Sequence, residues 1–374
     1  MAAQPEVDIM TNLQTLLSHP TRPYHAFRTD LYSPDELYDR FNPAHPSSYR
    51  ECMDWRTFVG YIAVDDNERP LRPQQYVPVG LEEKVARRLH DHFIVNELTD
   101  FLERFAPPTG RGVVAIMGGH DELRSATGVY GDIARLARQL ACEGFLVATG
   151  GGPGLMEAAN LGASLANGHE AVLDDALGNL SAAPRYDDEQ WLSVAWRVRA
   201  GLPCELSPNL GVPTWFYGHE PPNIFATHIA KYFENSLREE GLLAIATHGV
   251  IFAPGNAGTV QEIFQDGCQN YYSTYGHASP MILFDADYWN PPAVSAAILV
   301  GPAAPGARPK PVWPLLQVLA AERGIEHLVH LTSSASQVRH IIHDFQPAVE
   351  RETIHRISTD CSQQVTSLVG HTDL

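Results

Sequence analysis

The 374-residue chain exceeds one typical domain without forcing two, and its 44% hydrophobic content suffices for a sizeable core. With 44 acidic against 26 basic residues the formal net charge is −18, and no basic run or stripe offsets it, which argues against nucleic acid as a partner. An anionic ligand must then be held by local donors rather than by the overall field. Cys52, Cys142, Cys204, Cys268 and Cys361 are odd in number and scattered, with no CxxC pair, as expected of reduced thiols in a cytoplasm. The start Met1-Ala2-Ala3-Gln4-Pro5 has no basic-then-apolar leader, and no run approaches the ~18 uncharged apolar residues of a membrane span. A soluble cytoplasmic protein with no membrane partner is expected.

Residues 1–107 read as an N-terminal extension, rich in Pro, aromatic and charged residues near the start and helical at the end. The piece from Trp55 to Val64 has an ordered pattern, and a helix is predicted from Leu81 to Phe105 with Val85, Leu89, Phe93, Leu98 and Leu102 as its apolar stripe. Pro107-Pro108-Thr109-Gly110 ends it, and a domain of residues 108–346 begins. Val113–Met117 is a buried-strand run ending in Gly118-Gly119, and Ile133, Leu136, Ala137 and Leu140 have the spacing of a helix packed on a sheet. Phe145–Thr149 is the next strand, followed by a helix Leu155–Ala166. Residues 168–208 look like an insertion with one amphipathic helix near Glu189–Arg199. Val212–Tyr217 is a weaker strand, and a helical stretch runs through Arg238. His248–Ala253 is a strand leading to a helix Val260–Asn270, and Pro280–Phe284 is another strand. Residues 290–311 are a Pro/Ala-rich linker. A helix Leu315–Arg323, a strand His327–Leu331 and a helix Ala335–Phe345 follow, and residues 347–374 form a polar tail. No internal repeat is evident. Strands alternating with helices imply an α/β fold with a doubly wound parallel sheet, ligands binding at the strand C-termini.

Two glycine-rich turns carry the functional signal. Gly150-Gly151-Gly152-Pro153-Gly154-Leu155-Met156-Glu157 and Pro254-Gly255-Asn256-Ala257-Gly258-Thr259-Val260-Gln261-Glu262 each join a strand to a helix. Backbone N–H groups at such a turn can cradle an anion, and two cradles in one sheet fit a nucleotide-sized ligand. The first turn has the wrong spacing for a dinucleotide fingerprint, although Glu170 stands where a ribose-binding acid would. The second turn offers the N–H groups and hydroxyl of Gly258-Thr259 to a phosphate. Glu262 is either the glutamate of a Thr-x-x-Glu capping box or a carboxylate held beside a bound nucleoside phosphate, placed to support an oxocarbenium-like ribosyl centre or direct a water. Arg238 is either a surface arginine paired with an acid such as Glu239 or a phosphate or carboxylate clamp.

Gly118-Gly119 after the first strand, the GGGPGLMEA turn, Arg238 and the PGNAGTxxE turn together resemble the Lonely Guy (LOG) family, once called lysine-decarboxylase-like, and within it the longer pyrimidine/purine nucleotide nucleosidases. The match spans about residues 112–346. The resemblance implies a Rossmann-like sheet, assembly as a homodimer or higher homo-oligomer, and no metal or other cofactor. It implies hydrolysis of the N-glycosidic bond of a small-molecule partner, a nucleoside 5′-monophosphate, to free base and ribose 5-phosphate. It maps the catalytic pair onto Arg238 and Glu262, the phosphate loop onto Gly255, Asn256, Ala257, Gly258 and Thr259, and the nucleotide-side loops onto Gly118, Gly119, Gly151, Gly152 and Gly154.

Two departures are visible. Asn256 replaces the usual second glycine, a residue that tolerates positive φ better than other non-glycines. Arg238 is followed by Glu239-Glu240 where short LOG proteins carry a second basic residue. Asp121 and Arg124 are further candidates for polar nucleotide contacts, or solvated loop residues. Tyr271-Tyr272 either stack on a base or pack. His327, His330, His340 and His343 lack the cysteine or carboxylate that would complete a familiar metal spacing. The alternative function is a non-catalytic nucleotide-binding sensor or carrier on the same fold. An NAD-linked oxidoreductase is disfavoured by the turn spacing, and lysine decarboxylation by the lack of a pyridoxal-anchoring lysine context.

Overall fold

The computed structural model describes residues 22–107, 109–217, 220–292 and 308–347. Most of the Pro/Ala-rich linker, nearly all of the polar tail with Cys361, and the first 21 residues lie outside them. Seven strands, β1 (Val113–Met117), β2 (Leu146–Thr149), β3 (Leu210–Gly211), β4 (His228–Ile229), β5 (Gly249–Phe252), β6 (Met281–Phe284) and β7 (Val329–Thr332), form one sheet in the order β4-β3-β2-β1-β5-β6-β7. Every pairing is parallel, with Ile116 opposite Thr149 on one side and Ile251 on the other. A parallel sheet covered by helices is apolar on both faces, which is why β1, β2, β5 and β6 are buried at every residue. The doubly wound α/β architecture is as expected. Chain order reverses between β1 and β5, so the crevice for a ligand opens there.

Element positions differ from the sequence reading where strands are short or faces are mixed. The weak strand at Val212–Tyr217 is the two-residue β3 just before it, and β4 escaped notice because His228-Ile229 has no apolar run around it. The region 168–208 holds two helices, Glu170–Leu180 and Trp191–Ala200, rather than one. The helix after β5 starts at Ala257, three residues earlier than expected, and runs to Tyr272. The helix ahead of β5 is Asn235–Ala244, with Arg238 in its first turn.

The long helix Leu81–Phe105 has the expected bounds, and its buried face, made by Ala86, His90, Asp91, Ile94, Leu98 and Phe101, shares Leu98 with the expected stripe. His90 and Asp91 belong to it because Tyr32 and the backbone N–H groups of Phe233 and Glu234 supply their partners. Tyr24, Tyr32, His90, Trp215 and Phe233 form a cluster of edge-on and tilted rings. Beneath it Lys231 is fully buried and donates to Asp54 at 2.5 Å, while Trp215 Nε1 donates to the same carboxylate oxygen at 2.9 Å. Burial holds the Lys231 ammonium below its ordinary pKa and Asp54 works against that. Tyr61 Oη donates to the carbonyl of Phe233 and Tyr38 Oη to that of Pro222, so the N-terminal region grips the loops around β4. Among the described residues no helix is long and apolar enough to cross a membrane.

Candidate functional site

The loops leaving β1, β2 and β5 meet at the crevice. Gly119 N donates to the Pro254 carbonyl at 2.9 Å, and Leu155 N donates to the Gly119 carbonyl at 3.1 Å, tying all three turns together. Gly154 is the N-cap of the helix Leu155–Ser164 with φ of 65°, and a Cβ there would run into the Gly119 and His120 carbonyls; only glycine fits. Gly151 N donates to Thr149 Oγ1 at 2.9 Å, and the Gly151 and Gly152 carbonyls accept from Asn223 at 2.9 and 3.0 Å. Asn160, itself bonded to Thr149, Asn209 and Asn223, completes a buried amide network under this turn. Such a fully satisfied network fixes a loop more firmly than its separate bonds. It was not foreseen, because three asparagines far apart in sequence announce nothing until the sheet assembles them. The amides of Gly119 and Gly151 are thus committed inside the protein, while Gly118 is buried against Leu155.

The turn after β5 is different. Asn256 is the N-cap of the helix Ala257–Tyr272 but makes no capping bond; its Nδ2 donates to Asp121 Oδ2 at 3.0 Å and its Oδ1 accepts from Lys310 Nζ at 3.2 Å. Ala257 and Gly258 are exposed, Thr259 and Gly255 buried, and a Cβ on Gly258 would meet open space. First-turn N–H groups without a side-chain cap are an anion-binding feature. The capping-box reading of Glu262 fails on register: with Asn256 at the cap, Glu262 is the sixth helical residue, too far to reach back.

Glu262 instead faces Arg238. Arg238, 7% exposed, donates from Nε to the Val212 carbonyl at 2.9 Å and from Nη1 to Glu262 Oε1 at 3.1 Å. Nη2 makes no hydrogen bond among the described residues and lies over Gly150, where any Cβ would collide with it. The guanidinium edge is presented at the first glycine turn. Burial pushes the Glu262 carboxyl from 4.5 up to about 7; Arg238 opposes the shift, and Glu239 and Glu220 add to it. Glu239 is itself buried, accepting from Asn235, Gln261 and Tyr217.

A second polar chain runs along the rim. His120 Nε2 lies 2.8 Å from Asp121 Oδ1 and its Nδ1 3.2 Å from Glu220 Oε1, with Tyr186 edge-on at 5.3 Å. Lys310 Nζ donates to Tyr288 Oη at 2.7 Å, and Tyr288 Oη donates to the Gly255 carbonyl at 2.6 Å. Lys310 thus brings positive charge to the Gly255–Thr259 turn through Asn256, as Arg238 does to the first glycine turn at Gly150. Lys310 was missed because no motif surrounds it and the intervening segment is Pro/Ala-rich. Asp121 sits at this rim, bonded to His120 and Asn256. Arg124 does not reach it: both its Nε and Nη2 bond Glu157, and Nη1 donates to the Ala183 and Trp191 carbonyls, which ties those two residues to the helix Leu155–Ser164. Glu170 is exposed at the start of an insertion helix, and Tyr271 and Tyr272 pack together at the opposite end of the helix that carries Glu262. No group of three or more His, Cys, Asp or Glu among the described residues could hold a metal ion.

No protein-family model matches the chain, and no curated protein is similar enough to count as a match. Solved structures similar to it include the molybdenum cofactor binding protein from the phototrophic bacterium Rippkaea orientalis, 16% identical with a TM-score of 0.35, over 62% of this chain and 95% of that one. Two structures of the molybdenum cofactor carrier protein from Chlamydomonas reinhardtii are similar at 14% and 15% identity, with TM-scores of 0.33 and 0.32, over 62% and 63% of this chain and 99% of each of theirs. These are described as binding and carrier proteins, none as a hydrolase, and the expected N-glycosidic hydrolysis of nucleoside monophosphates is withdrawn.

Proposed function

We propose that the chain is a non-catalytic nucleotide-binding sensor or carrier with a LOG-type site. It takes a phosphate-bearing small molecule into the crevice between β1 and β5 and holds it without turnover. The observation that carries this reading is the buried Arg238, held by Val212 and Glu262 with its Nη2 against Gly150 of the first glycine turn and without a hydrogen-bond partner among the described residues. A phosphate or phosphate ester fits there: the uncapped first turn at Ala257–Thr259 supplies N–H donors, and Arg238 and Lys310 supply charge. The acidic rim of Asp121 and Glu220 offers acceptors to the ligand's amino or ring N–H groups, so a heterocycle with donors is favoured over a bare phosphate. A homodimer or larger homo-oligomer in the cytoplasm is part of the same proposal.

Calorimetric titration with AMP, GMP, CMP, UMP and a dinucleotide, followed by chromatography of the mixtures, tests it. Saturable binding with the nucleotide recovered intact is expected. Absence of binding to every member of the panel overturns the reading, and appearance of free base overturns its non-catalytic half.

A further inference from the structure

The crevice accounts for the sheet domain but leaves the N-terminal region without a role, and one of its buried charges points directly at the arginine helix. Asp91, on the long helix Leu81–Phe105, is 1% exposed. Its Oδ1 accepts from Phe233 N at 3.0 Å and its Oδ2 from Glu234 N at 2.8 Å. Glu234 is the N-cap of the helix Asn235–Ala244, makes no capping bond of its own, and its carbonyl accepts from Arg238 N at a long 3.4 Å. The first turn that carries Arg238 is therefore loosely closed from within and held from outside by a carboxylate, the charge a helix N-terminus prefers. Asp91 is fixed in its turn. His90 Nδ1 lies 2.9 Å from Asp91 Oδ1, and Tyr32 Oη lies 2.8 Å from His90 Nε2. A neutral imidazole with its proton on Nδ1 satisfies both bonds, donating to Asp91 and accepting from Tyr32. Burial lowers the His90 pKa and so favours that neutral form.

We infer that Asp91 is a positioning residue for the ligand site, and that the N-terminal region serves to set the start of the Asn235–Ala244 helix and thereby aim Arg238 at the glycine turns. The inference rests on the reading of Arg238 as a ligand-facing cation, and its test separates the two. AMP affinity is measured for the full-length protein and for Asp91→Asn, Arg238→Gln and the double variant. Asp91→Asn replaces one acceptor by a donor facing a backbone N–H, and AMP should bind about tenfold more weakly, as when an outer supporting partner is lost. In the Arg238→Gln background the same change should cost nothing further, because the residue it acts through is gone. An equal loss in both backgrounds, or no loss in either, overturns the inference. If Asp91→Asn does not fold, Tyr32→Phe removes a single hydroxyl from the same chain; its loss must likewise vanish with Arg238→Gln, and no loss overturns the inference. If the parent protein binds no AMP, the proposed function fails but the inference is still decided by the carbon-13 titration of the Glu262 carboxyl. Loosening Arg238 must raise the Glu262 midpoint in Asp91→Asn, and an unchanged midpoint overturns the inference.

Discussion

Glu262→Gln is expected to stabilise the protein, and to do so only above the acid range. Burial pushes the carboxyl from an ordinary 4.5 up to about 7 in the folded chain, with Arg238 pulling it down and Glu239 and Glu220 adding to the rise. At about 1.4 kcal/mol per pH unit, carrying the ionised form in this place costs the fold roughly 3 kcal/mol relative to the protonated form. The sign follows from proton linkage: between 4.5 and 7 the folded state holds a proton that the unfolded state releases, so wild-type stability falls as pH rises through that window. Glutamine mimics the protonated carboxyl and escapes the fall. Urea denaturation of both proteins at a series of pH values should give equal stabilities near pH 4.5. The variant should gain progressively to about 3 kcal/mol at pH 8, with unchanged m-values. Subtracting the two curves cancels the other titrating groups, including His90. A difference that does not vary with pH, or a variant less stable than wild type at pH 8, would refute the assignment of a destabilised buried carboxylate at Glu262.

Gly150→Ala puts a Cβ into Arg238 Nη2 and against Met156 Sδ; overpacking of roughly 1–3 kcal/mol, seen in a thermal melt, should come with loss of AMP binding. Lys231→Met leaves Asp54 buried with Trp215 Nε1 as its remaining donor, and denaturation should show a loss of roughly 3–5 kcal/mol. Lys310→Ala should weaken AMP binding, most at low salt, while changing stability by less than about 1 kcal/mol, since the side chain is half-buried at the rim. An anion placed beside Glu262 favours its protonated form, so calorimetry in buffers of different ionisation heat should detect proton uptake on binding near pH 7.5, and Glu262→Gln should abolish it.

The parts of this fold that could be read in advance are those whose residues report on their own surroundings. Val113–Met117 and the runs before the two glycine turns are unbroken and apolar because both faces of a parallel sheet are covered, and the positive φ of Gly151 and Gly154 calls for glycine within the first turn itself. Leu210-Gly211 and His228-Ile229 have too few residues to establish a pattern, so β3 and β4 stayed hidden. The apolar stripe assigned to Leu81–Phe105 shares only Leu98 with the buried face, because His90 and Asp91 look like solvent-facing residues until Tyr32, Phe233 and Glu234 are seen to satisfy them. At the site, Arg238 and Glu262 came from a motif resemblance, and their mutual bond crosses from one helix to another, which spacing cannot show. The amide network of Asn160, Asn209 and Asn223 and the reach of Lys310 to Asn256 depend wholly on tertiary assembly.

The most direct test of the central claim is a titration of nitrogen-15, deuterium-labelled protein with AMP, following the backbone amides. If the crevice between β1 and β5 is the ligand site, the amides of Gly118, Gly152, Ala257, Gly258 and Thr259 should shift together along one saturation curve, and Arg238→Gln should move that curve to much higher concentration. Shifts that spare the Ala257–Thr259 turn, or that saturate unchanged without Arg238, would contradict the account.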